Sequence, residues 1–267
     1  MTDHINPDRF ADSAGVPWAG RHFEANPNAG DNGEADPRLI DAIRKFHTDE
    51  VDADAVVDAF RTARFLVPLL ANLGSSGVGA HGQTVDKSAD LSIVTVLDPD
   101  GRMALPVFSS VEAMKRWNPE ARPVVSDAIR VCLAAAQEDD ANARVILDPG
   151  SETEFALRRP AIAAVAQQKP WLPPYRDQVV IDAFARALKP ESVVRRFGVL
   201  STDQYSRLEG NEIGVVIWLE AGLTAEDLTA FEQRFVSRWS DDRDIVERVD
   251  SLSIGFRNAS DLDQARG

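Results

Sequence analysis

The sequence predicts an α+β fold of two small domains, with mostly antiparallel sheets and helices packed on their faces. Three observations carry this expectation. The chain has 267 residues, 44% hydrophobic and 27% charged, enough apolar material for a packed core in one large or two small domains. Short strand-like runs are joined by hairpin turns rather than by long crossovers, which predicts antiparallel pairing. A proline-rich stretch, Lys169 to Tyr175, separates two patterned regions and is expected to be extended. The expected organisation is an irregular acidic arm over 1–36, an α+β domain over 37–175 built from two ββα units, and a smaller α+β domain over 176–267.

Met1 to Asp36 is rich in Asp, Asn, Gly and Pro and has neither helical nor strand period, so it reads as an irregular arm. Residues 1–37 hold seven acids against two bases, and Trp18 and Phe23 are large apolar groups among them. These two rings are expected to pin the arm on a folded surface, its own or a partner's.

Asp36 then suits an N-cap and Pro37 the first helical position, with Leu39, Ile40, Ile43 and Phe46 on one face. A second helix is expected over 53–63. Arg64 to Leu70 reads as a strand that lies at a sheet edge or ends in a bulge, because Pro68 has no N–H to donate. A polar, glycine-rich loop follows from Gly74 to Asp90. Leu91 to Leu97 is expected to be one strand covered on both faces, Asp98-Pro99-Asp100-Gly101 a turn, and Met103 to Phe108 the partner strand. Ser109 with Glu112 has capping-box spacing before a helix over 111–117, and Ser126 is the expected cap of a helix through Ala136.

The order then recurs: strand 144–147, the turn Asp148-Pro149-Gly150, strand 153–157 and helix 160–168. The two Asp-Pro pairs lie fifty positions apart, which suggests a duplicated ββα unit within one sheet. Beyond the proline-rich stretch come a helix over 177–188, strands over 193–200 and 214–219, a helix to Trp239 capped by Thr224 with Asp227, and a closing strand over 249–256. Leu228, Phe231, Phe235 and Trp239 form the apolar stripe of that last helix.

Charge and cysteine content narrow the function. The net charge of -14 opposes a phosphate backbone, so nucleic acid is not an expected partner; basic residues stand together only in short pairs such as Arg158-Arg159 and Arg195-Arg196. No apolar run is long enough for a membrane span, and the polar start, Met1 to Phe10, lacks a signal-peptide pattern. Cys132 is the only cysteine, which suits a cytoplasmic protein. It shares a helical face with Ile129, Leu133 and Ala136 and is read as a core residue.

Several motifs tempt a catalytic reading. Gly77 to Gly82 (GVGAHG) is a formal dinucleotide fingerprint. Only Gln83 to Asp90 separates it from the next strand, too few residues for the helix that would hold a pyrophosphate, so no cofactor is expected. Gly74-Ser75-Ser76-Gly77 fails the nucleophile-elbow pattern because Val78 stands where glycine is needed. The four histidines are scattered without metal-ligand spacing, and the acidic runs Glu138-Asp139-Asp140 and Asp241-Asp242-Arg243-Asp244 read as solvated loops, so no metal is expected. Trp171 stands apart from the other tryptophans. It follows Arg158-Arg159 in an extended stretch, and an aromatic beside arginines suits either a partner's hot spot or packing between the domains.

The runs ARFLVPLL, IVTVLDPDGRMALPVFSSVEAMKRW and ARVILDPGSETEFALRRPAIAAVAQQKPWLPP resemble the N-terminal domain of the SseB family, and ADSAGVPWAGRHFEANPNAGDNGEADP resembles the leader of its actinobacterial members. The likeness covers most of residues 10 to 175, and the remainder is similar to a smaller domain these proteins carry. The resemblance implies an α+β fold and a bacterial, cytoplasmic setting. The family name reflects a serine-sensitivity phenotype, so it implies no catalytic residues.

With no coherent catalytic set, the expected role is a non-enzymatic protein-interaction or regulatory one. Trp171, Arg158, Arg159, Trp18 and Phe23 are the candidate interaction residues. The alternative is an enzyme with a site around the Gly74–Asp90 loop and His81.

Overall fold

The computed structural model describes residues 30–72, 77–78, 84–85, 90–138 and 143–261. Helix α1 (Pro37–His47) starts where expected: Asp36 accepts from the Arg38 N–H, and Leu39, Ile43 and Phe46 are buried. Helix α2 (Ala53–Thr62) buries Val56, Val57 and Phe60, and the Phe60 ring stacks on Phe65 at 4.1 Å between centroids.

Phe65 belongs to β1 (Arg64–Asn72), which is central rather than marginal, lying between β4 (Asp90–Ile93) and β7 (Arg122–Asp127) in a three-stranded antiparallel sheet. Pro68 is tolerated there for a local reason. Opposite it on β7 stands Pro123, and its other side falls between a bridge to Phe108, made by Leu66, and the ladder to β4, which begins at Leu69. The missing N–H thus lies in a gap of the hydrogen-bond pattern. The expected single strand over 91–97 is broken in two: β4 pairs with β1, while β5 (Val96–Leu97) pairs with β6 (Met103–Val107). Between β1 and β4 a short hairpin of β2 (Gly77–Val78) and β3 (Thr84–Val85) lies within the predicted loop. Glycines at 79 and 82 and His81 lie outside the described residues.

The two ββα units are present. In the first, β5 and β6 are followed by α3 (Val111–Trp117). In the second, β8 (Val145–Leu147) and β9 (Phe155–Leu157) are followed by α5 (Arg159–Ala166). Their strands form one sheet in the order β5-β6-β8-β9, with both hairpins antiparallel and the central β6–β8 pair parallel. In both Asp-Pro turns the glycine takes a left-handed conformation, φ 77° at Gly101 and 76° at Gly150. The expected capping box at Ser109 does not form. Ser110 caps α3, and Ser109 instead donates from its N–H and hydroxyl to the buried carboxylate of Asp148, at 2.8 and 2.6 Å. Likewise Ser126 belongs to β7, and Asp127 caps α4 (Ala128–Glu138) by accepting from the Arg130 N–H.

One face of the four-stranded sheet packs on α1, α2, α4 and α5 in the main core, where Cys132 is fully buried. Burial in that apolar setting pushes its thiol up to about 12. The opposite face, Ala104, Ile146 and Ala156, packs against Leu208 from the loop 203–212.

The remaining elements build a second core. Helix α6 (Gln178–Leu188) leads into β10 (Val194–Ser201) and β11 (Ile213–Leu219). Helices α7 (Ala225–Trp239) and α8 (Arg243–Arg248) then precede β12 (Leu252–Asn258). Strand β11 is central, antiparallel to β10 and parallel to β12. The Thr224–Asp227 capping box is present on α7, whose Phe231 and Phe235 are buried. The acidic run at 241–244 is not a plain loop: Asp242 caps α8 by accepting from the Asp244 N–H. The described residues from Gly33 onward form a single compact unit. No helix among the described residues is long and apolar enough to cross a membrane.

Candidate functional site

Where the two cores meet, charge is concentrated inside the protein. Arg144, at the start of β8, donates from both terminal nitrogens to Asp250 at 2.7 Å, and the two side chains are 1% and 2% exposed. Arg158, at the end of β9, reaches Asp203 at 2.6 Å, Asp250 at 3.3 Å and the Gly210 carbonyl at 2.7 Å. Asp203 also accepts the N–H groups of Arg207 and Leu208, so it shapes the loop that covers the first sheet. Main-chain pairing reinforces this cover, since the Ala156 N–H donates to the Ser206 carbonyl at 2.6 Å along the free edge of β9.

Glu212 closes the cluster, accepting the Asp250 N–H at 2.6 Å. Burial drives its carboxyl from the ordinary 4.5 up to about 8, helped by the nearby Asp250 charge, while the Asp250 N–H and the two arginines pull the other way. Burial thus favours the protonated form of Glu212 beside the Arg144, Arg158, Asp203 and Asp250 side chains. For Arg158 burial is the largest single influence and opposes the charge, but the Asp203 hydrogen bond and the charges of the surrounding carboxylates together outweigh it, and the guanidinium is held above its usual range. Beside these groups lies a small pocket of about 40 Å³, lined by Phe46, Trp171, Tyr175 and Glu212 among others. That is space for about one or two water molecules.

The proline-rich segment is fastened on the same side. The Tyr175 hydroxyl donates to Asp52 at 3.3 Å, and Arg176 pairs with the same carboxylate. Desolvation by burial raises the Tyr175 hydroxyl well above its normal range, with the Asp52 charge adding to the effect.

Outside this junction runs an open groove of about 930 Å³ between α5 with the segment 167–172 on one side and α8 on the other. Arg159 spans its floor, donating to the carbonyls of Val246 and Val249 at the end of α8. Trp171 lines the groove and packs its ring against the main core, and its Nε1 is buried with no hydrogen-bond partner among the described residues. Leu172 from one wall and Val246 from the other are 44% and 50% exposed.

The structure thus brings Trp171, Arg158 and Arg159 to one junction but gives them different tasks. Arg158 is enclosed in the ion cluster, Arg159 ties the groove floor, and Trp171 forms part of its wall. Trp18 and Phe23 lie outside the described residues, as does most of the Gly74–Asp90 loop. Asp203, Glu212 and Asp250 were not singled out in sequence; the one available signal was Arg158 at the end of an apolar strand, where a buried cation requires a carboxylate. Among the described residues, no group of His, Cys, Asp and Glu side chains is arranged to hold a metal ion.

Residues 38–164 match the family model of the SseB protein N-terminal domain. No curated protein and no solved structure matches the chain. The matched span runs from α1 to near the end of α5 and takes in both ββα units, which identifies this part of the chain as an SseB N-terminal domain.

Proposed function

We propose that this is a non-enzymatic interaction protein whose groove between α5 and α8 receives a segment of a partner protein. The observation that carries the reading is the pair of exposed apolar side chains, Leu172 and Val246, facing one groove beside Trp171. Exposed apolar groups on both walls, next to a large ring on a braced floor, are what a partner's apolar side chain buries itself against. Charges of both signs also line the groove, Arg159, Lys169, Arg243 and Arg248 with Asp177, Glu247 and Asp250, on a chain of net charge -14. A protein segment suits that mixture better than a nucleic acid or a membrane surface, which the overall charge opposes. In this reading the protein works in the bacterial cytoplasm, a setting that a single buried thiol suits.

The test is site-specific photocrosslinking in the native host. Benzoylphenylalanine at Leu172 or Val246 is expected to trap a discrete partner that the same probe at Leu133, exposed on α4, does not trap. Equal labelling at all three positions, or none at the groove, would refute the proposal.

A further inference from the structure

The second sheet has two faces, and among the described residues only one of them is packed. Ile213, Val215, Ile217 and Leu219 of β11 point into the core with α6 and α7, as do Phe197 on β10 and Phe256 on β12. The alternate residues form the other face. There the register places Arg196 and Arg257 on either side of Trp218, and Gly198 and Gly255 on either side of Val216.

The geometry of this face is that of a built surface. The Arg196 guanidinium lies over the Trp218 ring at 5.6 Å from its centroid. That ring reaches across Gly198, where an added Cβ would touch it in ordinary contact at 3.7 Å. A Cβ on Gly255 would meet nothing within 4 Å, so an open slot lies beside Val216. Leu200 on the same face is 45% exposed. The only hydrogen bond from the Arg257 guanidinium goes to the Phe256 carbonyl, and Arg196 has no hydrogen bond, so neither has a carboxylate partner among the described residues. Their neighbour Arg195, by contrast, is paired with Glu220. In a chain where acids exceed bases by 14, two arginines left without an acid beside a partly exposed tryptophan form a local inversion of charge.

We infer that this sheet face, centred on Trp218 and distinct from the groove, docks an acidic segment of a partner protein that carries an aromatic side chain. Arg196 and Arg257 lie two strands apart, about 10 Å at the backbone, and would receive carboxylates on either side of the ring. The aromatic side chain would lie in the slot over Gly255, against Val216 and Trp218. A nucleic-acid strand could also offer anions and rings, but its phosphates would meet the field of a strongly acidic chain.

The test uses an array of short synthetic peptides in which pairs of Asp/Glu, Lys/Arg or Ser flank a central Trp, Phe or Ser, read by binding of the labelled full-length protein. The acid-flanked aromatic peptides are expected to bind best, with affinity falling as salt is raised. The Arg196→Gln, Arg257→Gln double variant should weaken that binding by about tenfold or more. Gly255→Leu should do the same by filling the slot, which is open enough to accept the side chain without a loss of melting temperature. The inference is overturned if lysine-flanked peptides bind equally, if binding ignores both variants, or if oligothymidylate binds in preference to the peptides. It is also overturned if sedimentation shows that the face joins two copies of this chain and Gly255→Leu makes the protein monomeric.

Discussion

Arg144 and Asp250, 106 positions apart in the chain, form a two-pronged ion pair at 2.7 Å that ties the first sheet to the approach of the last strand. Both side chains are almost wholly withdrawn from water. The value of such a pair lies less in its own net energy than in what its loss would leave behind, because a buried charge without its partner is strongly unfavourable.

Asp250→Asn is therefore expected to destabilise the protein by about 3–5 kcal/mol in urea unfolding, leaving Arg144 without its carboxylate and Arg158 with one fewer. The exposed pair Arg243–Glu247 provides the contrast, and Arg243→Gln should leave the unfolding midpoint unchanged. Equal effects from the two substitutions would show that burial is not what makes the Arg144 pair matter.

Glu212 predicts a pH dependence of known sign. Its folded value is raised, from the ordinary 4.5 to about 8, so between those values the folded state binds the proton more strongly than the unfolded state does. Its contribution is complete below about pH 4.5 and is lost as pH rises through about 8. Glu212→Gln keeps an oxygen for the Asp250 N–H and cannot ionise. It should flatten this part of the stability curve and make the variant the more stable protein above pH 8, by on the order of a few kcal/mol at most. Parallel curves for the two proteins from pH 5 to 9 would refute it.

Much of the fold was legible because it rests on local chemistry. Asp36-Pro37, Thr224 with Asp227, and the two Asp-Pro turns each fix a boundary through their own backbone preferences. The elements that were missed or misplaced depend on distant partners. Strand β7 contains Pro123 and begins and ends on charged residues, and only pairing with β1 makes it a strand. The division between β4 and β5 arises because the two halves join different sheets, which no periodicity records. The same holds at the junction: Asp203, Glu212 and Asp250 sit in separate polar stretches, and only the meeting of the two cores makes them one cluster. Trp218 lies in a strand that is apolar throughout, yet among the described residues its face of the sheet is the uncovered one.

Asp148 holds the two ββα units together and is a third point of sensitivity. Its carboxylate receives the Ser109 N–H, the Ser109 hydroxyl and the Thr153 hydroxyl. Asp148→Ala would strand a buried N–H and a buried hydroxyl, and a loss of about 2–4 kcal/mol is expected in thermal or urea unfolding. Ser109→Ala removes one donor while leaving the carboxylate two partners, and should cost less than half as much. If the two substitutions cost the same, the link runs through Ser109 alone.

The boundary between domains, proposed at 175/176, is open to a direct test that also probes the ion cluster. Lys169 and Pro170 are exposed, and a specific protease site inserted between them would cut the chain ahead of the boundary. Arg144 and Arg158 would then lie on one fragment, and Asp203, Glu212 and Asp250 on the other. The cut halves are expected to co-elute on gel filtration at low salt, held by the buried pairs and by the packing of Leu208 on the first sheet. Buried pairs are poorly screened, so moderate salt should not separate them. Asp250→Asn in the cut protein should separate them by leaving the cations of one surface unmatched. If the second fragment forms a domain, it keeps its β10-β11-β12 sheet once released, and its far-ultraviolet circular dichroism, added to that of the first, reproduces the intact protein. Fragments that separate at once would show that the junction contributes little. A second fragment that unfolds on release would show that the chain is one domain and that the boundary does not exist.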